Sequence, residues 1–141
     1  MQEVVGGFII KKNKFLFGKR IKTKTWAPKT WDILGGQVKN NESVFDALKR
    51  EIKEEANITV LNSILLTEIQ IMDEKGGKPF KYYIYMILSW KGKAINASHE
   101  HSRLRWLTLK KLSTKKLALP NYLSLIKIYL ESDNITSLNH P

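Results

Sequence analysis

The chain has no cysteine among its 141 residues, which excludes disulfide staples, thiolate metal sites and thiol nucleophiles. No apolar run approaches the roughly 18 residues a membrane-spanning helix needs. The start, MQEVVGGF, lacks the basic-then-apolar layout of a secretory signal. No internal repeat or linker breaks the sequence. These absences are those expected of a cytoplasmic protein without membrane attachment, and 141 residues suit one domain, 1–141, able to bury a real core. Acidic residues are scarce as well: 13 Asp and Glu stand against 24 Lys and Arg, a formal net charge of +11. Such an excess favours polyanionic partners by long-range attraction. The lysines are scattered, however (Lys11, Lys12, Lys14, Lys22, Lys24, Lys110, Lys111, Lys115 and Lys116 among them), and no basic stripe interleaved with aromatics stands out. A lysine-rich composition accounts for the charge, and a nucleic-acid partner is not favoured. Monomer and homodimer both stay open.

Strand and helix patterns alternate. Val4 to Ile10 is a β-branched, apolar run that reads as a buried strand, followed by a turn at 11–14 and a second strand from Phe15 to Arg20. The polar stretch from Ile21 to Thr30 reads as a loop over a site, and Trp31 to Leu34 as a short strand entering Gly35-Gly36. Asn41 can cap a helix starting near 41–43, with Ser43 and Asp46 forming a capping box. On that helix Phe45, Leu48, Ile52 and Ala56 form a core-facing stripe, while Ala47 lies on the opposite, glutamate-bearing face. Thr59 to Met72 reads as a strand broken near Asn62-Ser63, Asp73 to Gly77 as a hairpin turn, and Pro79 to Trp90 as the longest strand. A short strand from Arg103 to Leu107, a loop with a helical turn over 108–119, and an amphipathic helix from Asn121 to Leu130 follow, with Leu123, Ile126 and Leu130 inward. Residues 132–141 read as a frayed tail. Mixed elements of this kind predict an α/β fold, a mixed sheet sandwiched between helices.

The segment GQVKNNESVFDALKREIKEEANI carries the chemistry. It places Glu51, Glu54 and Glu55 within five residues, just after Arg50. At about 100° per residue these carboxylates share a helical arc of about 100°. Like charges so close repel, and the arrangement makes sense once a cation sits on it; hard divalent metals such as Mg2+ prefer oxygen ligands. A solvated acidic surface is the plainer account of such a run, and the spacing argues against it. Gly36, five residues, Glu42, seven residues, then Arg50-Glu51-Ile52-Lys53-Glu54-Glu55, one residue, Asn57 and Ile58 resembles the signature of the Nudix hydrolases. Only Asn57 departs, standing where the family has glycine. That position follows the helix, where the chain turns left-handed, and Asn is the next most tolerated residue there. Many members also have proline where Leu34 stands.

The resemblance implies a Nudix-type α/β/α sandwich and hydrolysis of a nucleoside diphosphate linked to another moiety. It implies Mg2+ (Mn2+ as a substitute) held by Glu51, Glu54, Glu55 and the Gly35 carbonyl, with Gly36, Glu42 and Arg50 structural: an ion pair fixing the loop on the helix. Glu100, on a loop shortly before the strand led by Trp106, looks like the additional Nudix glutamate that ligates metal or activates water; a solvated loop Glu is the alternative. Glu51, Glu54 and Glu100 are thus the candidate catalytic groups. His99 and His101 receive no role. The spacing Glu100–Trp106–Asn121 is similar to that of MutT-type members, which sanitise oxidised guanine nucleotides with an asparagine opening the last helix; a helix cap is the competing account of Asn121. Arg20, beside Lys19, can contact phosphate. Trp26, Trp31, Phe80, Tyr82 and Tyr83 are possible base-stacking partners, of which Trp31 and Tyr83 are taken as pocket-lining. The substrate expected is an oxidised purine nucleoside triphosphate, cleaved to monophosphate and pyrophosphate. The alternatives are a diadenosine polyphosphate, sugar nucleotide or capped RNA end, or a catalytically silent Nudix-fold module that binds nucleotide or RNA.

Overall fold

The computed structural model describes residues 1–24, 26–72 and 78–138, the side chains of 133–138 excepted. The turn expected at 73–77 lies outside the described residues. Strand β1 (Gln2–Lys11) turns into β2 (Lys14–Arg20) through Lys12 and Asn13, both at positive φ (49° and 64°). Two left-handed residues in succession match the right-handed twist of a tight hairpin, and Asn is one of the few side chains that accepts that conformation readily. The next strand is shorter than expected: β3 (Trp31–Asp32) ends before Ile33, and β4 (Leu34–Gln37) changes partner. β3 pairs with β2, whereas β4 pairs with β1.

This switch follows from the way β1 and β2 part. They pair only at Ile10–Phe15 and Lys11–Lys14. Beyond the hairpin β1 runs between β4 and a parallel β6 (Phe80–Lys91), while β2 runs between β3 and β7 (His101–Thr108). β5 (Thr59–Ile71) closes the β6 edge antiparallel, with register irregularities from Val60 to Ser63, where the sequence predicts a break. Among the described residues the result is one mixed sheet of seven strands that opens into two leaves.

Each face of the sheet is covered by helix. Helix α1 (Val44–Ala56) buries Ala47, Leu48, Ile52 and Ala56 against Val5, Ile9, Leu16, Leu34 and Ile87. Ala47 is therefore core rather than space on the glutamate face, and Phe45 is only half-buried, against Tyr85. The cap is Ser43, whose hydroxyl accepts from the Asp46 N–H at 3.1 Å; Asn41 stands outside it in a left-handed turn (φ 63°). At the other end Asn57 takes φ 58°, ψ 32° and its N–H donates to Lys53 O, the left-handed stop expected where the signature has glycine. On the opposite face α2 (Leu109–Leu112) and α3 (Tyr122–Leu138) pack Leu112, Tyr122 and Ile126 on Phe8, Phe15, Phe17, Ile84 and Met86. α3 continues to Leu138 instead of ending at Leu130, and its deepest residues are Tyr122 and Ile126, with Leu123 and Leu130 half-buried. Among the described residues no helix is long and apolar enough to cross a membrane.

Candidate active site

Where the two leaves part, a cavity of about 500 Å³ opens, lined from β1, β2, the β3–β4 step, α1, β6 and the start of β7. Its acidic residues are Asp32, Glu51, Glu55 and Glu100. Arg50 organises the helix end of it. Its guanidinium donates to Glu42 from two nitrogens (2.8 and 3.0 Å), to Gln37 O (2.9 Å) and to Glu51 (2.8 Å), with Glu54 at 3.5 Å. The hydrogen bond from Arg50 lowers the Glu42 carboxyl to about 2. These bonds tie the loop between β4 and α1 to the helix.

Glu55 is 2% exposed. Its Oε2 accepts from the Gly35 N–H at 2.9 Å, whereas Oε1 is buried and finds no hydrogen-bond partner among the described residues, 3.6 Å from the equally unpartnered Nδ1 of His101. Burial, with help from Glu100 and Glu51, raises the Glu55 carboxyl well above its usual range. Burial also raises Glu51, against the pull of Arg50, and lowers His101 to about 4, so the imidazole is neutral at pH 7. Glu51 sits over Gly36, where a Cβ would fall 2.4 Å from its carboxyl carbon. Among the described residues no three carboxylate or imidazole groups converge at ligand distance: Glu51 and Glu54 rest on Arg50, and Glu100 reaches Lys24 at 3.6 Å. The chemistry of the set still fits a divalent cation. An orphaned buried carboxylate oxygen, in a cavity whose other carboxylates raise its pKa, is the environment a cation relieves.

That environment makes a stability prediction. Below the ordinary carboxylate value of 4.5, Glu55 is protonated in both folded and unfolded chain. As pH rises above it the unfolded chain ionises first, so the metal-free fold loses stability until Glu55 itself ionises. Gln cannot ionise and can still accept from Gly35. Glu55→Gln should therefore melt higher than the wild type at pH 7 in chelator, with the two curves converging at pH 4. Equal melting temperatures at pH 7 would show that the buried carboxylate carries no penalty.

Another part of the wall is aromatic. Trp26, Phe80 and Tyr82 line the cavity, Trp26 edge-on to Phe80 at 5.8 Å and Phe80 tilted against Tyr82 at 6.2 Å. Arg20 also faces it, stacked 5.0 Å over Trp26 and donating to Trp26 O at 2.9 Å. Asp32 fixes this guanidinium: Oδ2 accepts from Arg20 at 3.2 Å, and Oδ1 accepts from the Ile33 N–H (2.9 Å) and the Tyr122 hydroxyl (2.5 Å). Tyr122 in turn meets Tyr82 at 2.9 Å. Two expected lining residues lie elsewhere. Trp31 is 7% exposed in the core beside Leu119, and Tyr83 points to the other face of β6, its hydroxyl bonded to Glu3 at 2.6 Å. Strand alternation puts Phe80 and Tyr82 on the cavity side and Tyr83 off it. Glu54 and Asn121 are exposed and outside the lining set; the Asn121 carbonyl accepts from Leu125 N–H. Asp32 and Tyr122 went unread in the sequence. A lone carboxylate within the apolar run Trp-Asp-Ile-Leu is the signal that could have found the first.

The family model of the NUDIX domain matches residues 1–127. The chain belongs to the Nudix family and is a MutT-like hydrolase of it. It is 34% identical over 118 residues to an 8-oxo-dGTP diphosphatase of Buchnera aphidicola subsp. Schizaphis graminum (strain Sg), a span covering 84% of this chain and 85% of that protein. The MutT NUDIX hydrolase of Burkholderia pseudomallei superposes with a TM-score of 0.73 at 26% identity, over 79% of this chain and 85% of that one. The MutT protein of Methanosarcina mazei Go1 shares the fold at a TM-score of 0.79 and 21% identity, over 94% of each chain.

Proposed function

We propose that this hydrolase cleaves an oxidised purine nucleoside triphosphate to its monophosphate and pyrophosphate, acting as a single-domain cytoplasmic enzyme. The observation carrying this reading is one cavity that joins a carboxylate set suited to a cation-bound phosphate chain with an aromatic wall suited to a base. The similarity to an 8-oxo-dGTP diphosphatase supports the purine.

Glu51, Glu54, Glu55 and Glu100, with the Gly35 carbonyl, are the proposed ligands of Mg2+, for which Mn2+ can substitute. Bound there, such a cation neutralises phosphate charge and brings the pKa of a coordinated water toward neutrality. Phosphorus–oxygen cleavage by water needs positioning and charge stabilisation rather than a covalent nucleophile. Arg50 holds Glu51 and Glu54 in reserve on one helix face. Arg20, pinned by Asp32, presents a guanidinium to the phosphates without freedom to collapse onto the glutamates. Trp26 and Phe80 offer ring faces and edges to the base.

Hydrolysis measured by chromatographic separation of the products across 8-oxo-dGTP, dGTP, a diadenosine polyphosphate, a sugar nucleotide and a capped RNA end tests the proposal. The highest kcat/KM is expected on 8-oxo-dGTP, and a sugar nucleotide preferred over every triphosphate would end it. Asn121 is the proposed base reader, adjacent in sequence to Tyr122, whose hydroxyl reaches the cavity wall through Asp32. Asn121→Ala should lower the ratio of kcat/KM for 8-oxo-dGTP over dGTP by about tenfold or more, since a site built to hydrogen-bond a group discriminates against analogues lacking it. A stability loss of about 1 kcal/mol, read from the melting curve, with an unchanged ratio would make Asn121 a cap instead.

A further inference from the structure

The basic residues that look scattered along the chain are gathered by the fold. Residues 4–31 and 101–130 contain 15 of the 24 Lys and Arg and none of the 13 Asp and Glu. The rest of the chain holds nine basic residues against all 13 acidic ones, a net charge of −4. These two acid-free segments are neighbours in space, because β2 pairs along its length with β7, from Lys14–Thr108 to Arg20–His101. Lysines and arginines face one another across neighbouring strands: Lys11 opposite Lys14 in the β1–β2 hairpin, and Lys19 opposite Arg103 between β2 and β7. Like charges placed so are destabilising. Carboxylates do not relieve them, for among the described residues the only Lys and Arg in ion pairs are Arg20, Lys24, Arg50 and Lys81. The band continues from Lys14 over the Thr108 junction to Lys110 and Lys111 on α2, both exposed.

We infer that this leaf, β2 and β7 with α2, is a binding surface for single-stranded nucleic acid, lying outside the catalytic cavity. The charges lie on both faces of the leaf, Lys14 on the side of Trp106 and Lys19, Arg103 and Arg105 on the other, and a phosphodiester polymer passing round the β7 edge supplies the missing counter-charge to both. Its bases also find a partner: Trp106, half-buried on β7, stacks on Trp90 at 5.9 Å and 21°, and Lys11 lies 6.0 Å over its ring. Aromatic faces beside a basic track are what sequence-tolerant single-strand binding uses. An anionic membrane fits less well. Its binding calls for exposed apolar anchors, and the exposed large hydrophobic residues include none on β2, β7 or α2.

The test compares two variants of equal charge change. One carries Lys14→Glu, Arg105→Glu, Lys110→Glu and Lys111→Glu; the other carries Lys49→Glu, Lys53→Glu, Lys78→Glu and Lys93→Glu, all at exposed positions away from the leaf. Binding of a fluorescent single-stranded oligonucleotide of roughly 20 nucleotides is read by anisotropy against salt. Loss of affinity by about tenfold or more in the first variant, with a shallower salt slope, while the second stays within about threefold of wild type, is the expected result. Equal loss in both variants overturns the proposal, since net charge alone would then explain binding. So does wild-type capture of phosphatidylglycerol vesicles without oligonucleotide binding. Retained nucleotide hydrolysis by the first variant shows that it is folded; should it fail to fold, the same four positions changed to Gln are read in the same way.

Discussion

Glu54→Gln is expected to reduce kcat by about a thousandfold while lowering the melting temperature by no more than about 4 °C. The stability half follows from geometry. The Glu54 side chain is 56% exposed and meets Arg50 only at 3.5 Å, and Arg50 keeps its shorter bonds to Glu42 and Glu51. Exposed ion pairs of this kind contribute about 0–1 kcal/mol. The kinetic half follows from the proposed ligand role: losing about 4 kcal/mol of charge stabilisation, at 1.36 kcal/mol per tenfold, is a thousandfold in rate. Gln has the shape of Glu without its charge, so the two effects separate cleanly. Near wild-type turnover in saturating Mg2+ would remove Glu54 from the ligand set.

The glycine pair should behave asymmetrically. A Cβ on Gly35 would lie 1.9 Å from Val5 O and 2.6 Å from Gly6 Cα, both backbone atoms of the central strand that β4 pairs with. Nothing there can rotate away, so Gly35→Ala has to push β4 off β1 and should cost about 3 kcal/mol or more, at or beyond the upper end of ordinary overpacking. The three heavy atoms nearest a Cβ on Gly36 all belong to the far end of the Glu51 side chain, at 2.4–2.6 Å. Gly36→Ala should therefore fold with a loss of about 1 kcal/mol or less, yet lower kcat by about tenfold or more, because Glu51 must leave its place over the loop. Thermal melts and steady-state kinetics on both variants decide the matter. A Gly36→Ala enzyme with wild-type kcat would show that the position of Glu51 on Gly36 is incidental.

The part of the site that could be read in advance is the part built from local devices. Ser43, the Glu42–Arg50 pair and the left-handed Asn57 all act within α1 and its flanks, so spacing gives the helix its glutamate face, while the ion pair and the left-handed stop are what the family resemblance implies. The cavity wall is another matter. Both parities of the segment Phe80 to Tyr85 carry aromatics, and which parity faces the cavity is set by how β6 registers with β1, a contact between distant parts of the chain. Trp31 and Asp32 illustrate the same limit. Their strand is only two residues long, its partners lie on β2, and the chain changes leaf one residue later. Asp32 ended buried because Arg20 and Tyr122 meet it from opposite ends of the sequence.

The near-absence of pairing between β1 and β2 has a consequence for how the protein is made. The hairpin is complete early in synthesis, yet each of its arms finds its full partner only in the second half of the chain, β1 on β6 and β2 on β7. Until the ribosome has delivered those strands, two long unpaired edges stay open to solvent and to neighbouring nascent chains. Pairings so distant close slowly, since the intervening chain has to be ordered before they form. The candidate cavity, walled by both leaves, is then among the last features to be assembled, and the nascent hairpin is the stage at which a chaperone has most to protect.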